Sequence, residues 1–151
     1  MALSPSTLAA ALVLLAASER GPEPCRVIVN PANPASQIQR TALVAIYMGT
    51  MTRWSDGTPI APVDQSTRSA IRAAFSEKLL GKSLQAMQQH WLRKMAEGHA
   101  PPPVKSSDAE IAAWVRAHPG AIGYVGNAFT LDETVRVVKV VDERKSQGGV
   151  K

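Results

Sequence analysis

An α/β fold, with a mostly parallel sheet flanked by helices, is predicted by three observations. Short apolar or β-branched runs recur at residues 26–30, 60–63, 121–125 and 135–141. Between them lie stretches with apolar residues at helical spacing, several opened by a serine and closed by a glycine. The chain has 151 residues, 45% of them hydrophobic, which suffices for one core and a single domain. Strands separated by helices run largely parallel, because each helix carries the chain back to the starting end of the sheet.

Residues 8–17, LAAALVLLAA, form an uncharged apolar run of secretory length, too short to cross a bilayer. Ala16, Ala17 and Ser18 are small, as a signal peptidase requires. A signal peptide over residues 1–18, a proline-containing leader over 19–25 and a periplasmic location after crossing the inner membrane are therefore expected. No Lys or Arg precedes the run, so an amphiphilic N-terminal helix or a misplaced start codon is the competing reading. The folded domain is expected over residues 26–141, and a polar tail over 142–151 should be flexible.

Within the domain, the strand at 26–30 is stopped by Pro31 and Pro34. Ser36 and Gln39 have capping-box spacing, which predicts a helix carrying Ile38, Ala42, Ala45 and Ile46 and ending at Gly49. Trp54 anchors the turn that follows. The strand at 60–63 leads into a polar turn, Asp64-Gln65-Ser66-Thr67, and then a helix capped by Ser69, with Ile71, Ala74, Phe75 and Leu79 on one face and Gly81 behind it. Ser83 caps the next helix, whose Leu84, Met87, Trp91 and Met95 read as a core stripe before Gly98. Truncating Trp91 should thus be costly and truncating Arg72, at a helix start, should cost little. Pro101 to Pro103 form a stiff extended connector. Ser107 and Glu110 make a second capping box for a helix with Ile111, Trp114, Val115 and His118 on one face. Pro119-Gly120 ends it and delivers the strand at 121–125, and the run at 135–141 reads as buried on both faces.

Strand, hydroxyl-rich turn and helix start together aim backbone N–H groups and a helix dipole at one point, which suits an anion. Ser66, Thr67 and Ser69 would donate, and Arg72 would add charge. An ordinary N-cap without a ligand is the plain alternative. Composition narrows the other classes. The net charge of +5 comes from scattered Lys and Arg and aromatics are only 5%, so no nucleic-acid groove or stacking platform is indicated. Cys25 is the single cysteine, and His90, His99 and His118 are far apart, so no disulfide, metal or cofactor is expected. No nucleophile and base occur in motif context, which argues against an enzyme.

In order along residues 27–125, the segments VIVNPANP, AIYMGTMTRWSDG, PIAPVD, SAIRAAF, the Trp91 helix and PGAIGYV resemble the phosphate-binding proteins of ATP-binding-cassette phosphate transporters. These belong to the type 2 periplasmic binding protein superfamily, and the likeness is closest to short, one-lobe members. The resemblance implies a single lobe of that fold, an exported solute-binding-like protein, inorganic phosphate or a similar small anion as ligand, and an ABC transporter permease as partner. The family's phosphate turn reads Ser-Gly-Thr-Arg-x-x-Phe. Ser69, Arg72 and Phe75 match it, whereas Ala70 and Ile71 replace its glycine and threonine, and Asp64 and Gln65 stand where an upstream arginine is expected. A second wall for the anion would come from pairing of two chains as a homodimer. The alternative is a single-lobe envelope interaction or sensory module that has lost its ligand.

Overall fold

The computed structural model describes residues 23–142. A five-stranded sheet has the order β2-β7-β1-β6-β3, formed by β1 (Cys25–Val29), β2 (Gln37–Gln39), β3 (Ala61–Pro62), β6 (Ala121–Gly126) and β7 (Arg136–Val141). A small parallel pair, β4 (Asp64–Gln65) and β5 (Val104–Lys105), extends from the β3 side. The helices are α1 (Arg40–Tyr47), α2 (Ala70–Ala74) with a π-helical continuation (Phe75–Leu80), α3 (Leu84–Ala96) and α4 (Asp108–Ala117).

The α/β class is as expected, and the strand directions refine it. β2 runs parallel to β7 and β3 parallel to β6, but β1 is antiparallel to both of its neighbours. The sheet is therefore mixed. The reason is that β1 is the central strand yet the first of the described strands in sequence, and its partners are β6 and β7 rather than the strand that follows the next helix.

Alternation along β1 and β6 divides the core into two layers. Val27, Val29, Ile122 and Tyr124 face α1, the α2–π helix and α3, where Leu43, Ile46, Tyr47, Phe75 and Met87 are buried. Ile28, Ala121 and Val125 face α4, where Ile111 and Val115 are fully buried. Gly123 lies under α4: a Cβ there would sit 2.8 Å from Val63 Cγ1 and 2.9 Å from Ile111 Cγ2, so the helix seats closely only on a glycine. Asn30 fixes the same helix by donating to the carbonyls of Val115 and Arg116, at 3.0 Å each.

Three local expectations change. Residues 37–39 form β2, not the first turn of a helix, and the side chain of the observed N-cap, Gln39, does not cap α1. Pairing with β7 takes the backbone that the Ser36 box would have used. On α3, Met87 is buried and Trp91 half-buried, but Met95 is 52% exposed, because the last turn projects past the core. β7 is covered on one side only: Val138 is buried and Val137 is 50% exposed. The expected signal peptide and most of the expected tail lie outside the described residues.

Candidate functional site

The 64–72 segment takes its shape from a short strand that ends in a serine-capped helix. β4 is held to β5 by Asp64 N–H donating to the Pro103 carbonyl and Ser66 N–H to the Lys105 carbonyl, at 2.8 and 3.1 Å. The chain then turns. Ser69 N–H donates to the Ser66 carbonyl at 2.9 Å, and Arg68 N–H to Ser66 Oγ at 3.3 Å. Ser69 is the N-cap, its Oγ accepting from the N–H groups of Ile71 and Arg72, at 3.2 and 3.3 Å. Its own hydroxyl donates to Gln65 Oε1 at 2.8 Å. Most donors of the turn are thus used within it, and Thr67 stands exposed at its tip.

Beneath the turn lies a buried polar cluster. Arg72 is 8% exposed, and its Nη1 meets Asp64 Oδ2 at 2.6 Å and the Gln65 carbonyl at 3.0 Å. The other oxygen of Asp64 accepts from the Tyr124 hydroxyl and from Gln65 N–H. Gln65 Nε2 donates to Asp108 Oδ1 and to the Tyr124 carbonyl, at 2.9 and 3.0 Å. Aromatic rings seal the cluster from the core: Phe75 stacks on Tyr124 with centroids 3.7 Å apart, and Tyr47 meets Phe75 edge-on at 4.9 Å.

Burial pushes the Asp64 carboxyl above its ordinary range, while Arg72, the Tyr124 hydroxyl and Gln65 N–H pull it back without cancelling the shift. Burial, and then the negative charge of Asp64, raise the Tyr124 phenol. The same two causes act on Tyr47. Each partner of the carboxyl is a donor, so its geometry is that of an acceptor-only carboxylate.

Ser66, Ser69 and Arg72 are therefore neighbours, but Arg72 faces inward onto Asp64. Arg68, which sequence reasoning passed over, is exposed on the turn and has no ion pair among the described residues. Asp64, Gln65, Asp108 and Tyr124 were also missed as a unit. The available signal was a carboxylate at a strand end followed eight residues later by an arginine in the first helical turn, a spacing that folds back on itself. No group of His, Cys, Asp or Glu among the described residues could hold a metal. No described helix is long and apolar enough to cross a membrane.

Comparison with solved structures shows the same fold in longer proteins. A phosphate ABC transporter substrate-binding protein assigned in Clostridium perfringens, solved with bound phosphate, is 23% identical with a TM-score of 0.63, the match covering 77% of this chain and 44% of that one. An ABC-type phosphate transport receptor from Vibrio cholerae is 22% identical with a TM-score of 0.61, over 77% and 45%. PstS from Borrelia burgdorferi is 16% identical with a TM-score of 0.61, over 77% and 46%. The chain spans less than half the length of each of these proteins. No curated protein matches it significantly. A profile of the PBP superfamily domain matches residues 23–150, and the chain belongs to that family.

Proposed function

We propose that the protein is an exported solute-binding lobe whose 66–72 turn takes inorganic phosphate or a similar small anion weakly, in connection with an ABC-type phosphate transporter. The observation that carries this reading is the Ser69-capped helix start, which sits in the fold shared with the phosphate-bound structure from C. perfringens. Ser66, Thr67 and Ser69 lie on the turn, Arg68 supplies at its surface a cation without an ion pair among the described residues, and Arg72 supports it from below. A binding role rather than catalysis fits this arrangement, because the buried polar groups are paired with one another and leave no free base beside a nucleophile.

Affinity should be low. A hydrated dianion needs many fixed donors, usually from two walls, and most N–H groups here are already engaged within the turn. The expected Kd for orthophosphate is no tighter than about 100 μM, or about 5.5 kcal/mol. Calorimetry checks this, and binding should weaken as salt rises. Arg68→Ala should remove most of the heat. Asp64→Asn should strengthen binding, because Arg72 loses its internal counter-ion. A sub-micromolar Kd would mean that a second wall, such as that of a homodimer, completes the site.

A second reading is favoured by the Asp64–Arg72 pair itself. The carboxylate gives Arg72 the partner that an external anion would otherwise provide, as in an envelope interaction or sensory module that no longer binds solute. Absence of heat at millimolar phosphate, in both the native chain and Asp64→Asn, would select it.

A further inference from the structure

A cavity among the described residues lies away from the 66–72 turn. It has a volume of about 380 Å³ and sits between α1, the C-terminal half of α3 and the extended 100–103 segment, against the β3 edge. This is within the range of small-molecule pockets, about 300–1,000 Å³. Its walls are mainly apolar: Ile46, Ile60, the Pro101–Pro103 run, and the rings of Trp91 and Trp114. Both rings are held in place from outside the cavity. Trp91 Nε1 donates to the Tyr47 carbonyl at 3.1 Å, and Trp114 stacks on His118 with centroids 4.0 Å apart. Two tryptophans in an otherwise aliphatic and proline-rich wall suit an apolar body.

The charge lining the cavity has one sign. Lys94 is half-buried in the wall, His99 is exposed beside it, and among the described residues Lys94 has no ion pair and no carboxylate lines the space. A lysine in the wall without an ion pair among the described residues favours an anion at that end. We propose that this cavity is a second binding site, for a small amphiphilic anion whose apolar body lies against the tryptophan- and proline-lined wall and whose acidic head meets Lys94. It shares none of its lining residues with the phosphate turn.

Two fluorescent probes with the same aryl-naphthylamine body separate the two parts of this proposal. 8-Anilinonaphthalene-1-sulfonate carries an anionic head, and N-phenyl-1-naphthylamine does not. Titrated into the folded full-length chain, the sulfonate should bind with quenching of tryptophan emission, and saturating phosphate should not displace it. Lys94→Glu should weaken the sulfonate about tenfold and shift the neutral probe by less than about twofold. Ala100→Trp, at an exposed lining position, should fill the cavity and abolish binding of both probes with an unchanged melting curve. Equal effects of Lys94→Glu on the two probes, or unaltered binding to Ala100→Trp, would overturn the proposal. So would a concentration-dependent dimer, broken by Leu92→Glu with Met95→Glu, that excludes both probes, since the face would then belong to a second copy.

Discussion

Asp64 receives hydrogen bonds from three parts of the chain: its neighbour Gln65, the first helical turn at Arg72, and Tyr124 on the strand across the sheet. Removing one member of such a buried pair strands the other in a medium that solvates charge poorly. Arg72→Ala should therefore cost about 3–5 kcal/mol in urea unfolding, reversing the expectation that a helix-start arginine is dispensable. Trp91→Ala should cost less than this, its ring being only half-buried. Replacing the pair together, as Asp64→Leu with Arg72→Met, should recover most of the loss, because the apolar pair avoids both desolvation costs. A loss in the double variant equal to the sum of the losses in Asp64→Leu and Arg72→Met would show that the partners act independently. The sequence displayed Asp64 as one more polar turn residue. Its importance depends on Tyr124, sixty residues away, and no local pattern encodes that distance.

At the level of elements, local chemistry was readable wherever it was decided locally. Ser69, Ser83 and Ser107 each cap the helix expected of them, and Gly81 and Gly98 stop theirs in left-handed geometry, with φ of 67° and 94°. β1 and β6 likewise announce themselves as dense apolar runs. The misreadings fall where a distant segment decides. Ser36 to Gln39 would open a helix in isolation, yet β7 captures it as a strand. Val137 and Met95 obey apolar periodicity, but both are half exposed among the described residues. Gly123 tests the contact between two elements. Adding a methyl there must push α4 away from β6, and Gly123→Ala should lower stability by about 1–3 kcal/mol, measurable by thermal or urea denaturation. A neutral outcome would show that α4 yields without loss.

Across the whole molecule, several buried acids hold their protons more tightly folded than unfolded. Cys25 is pushed up to about 12, chiefly by burial, and the phenols of Tyr47 and Tyr124 are raised as well. The native state then binds more protons than the unfolded chain above the ordinary thiol and phenol values, so stability should fall as pH rises from about 9 to 12. Asp64, also shifted upward, has the same sign at lower pH: its contribution shrinks as pH rises between its unfolded and folded values, and is not what acid removes. Urea midpoints between pH 7 and 11 should decline. Over the same range Cys25 should stay inert to thiol reagents until unfolding, and rapid labelling of the folded chain at pH 9 would contradict its burial. The placement of β1 has a further consequence, for the order of events in biosynthesis. Cys25 opposes Gly126, and Val29 opposes Ile122 and Arg136. A ribosome must therefore deliver nearly the entire domain before the central strand finds either neighbour. Until then Val27, Ile28 and Val29 remain without partners, and closure is governed by contacts of long sequence separation, which form slowly. The growing chain thus stays open late, the condition in which the proposed export could still thread it through a membrane pore.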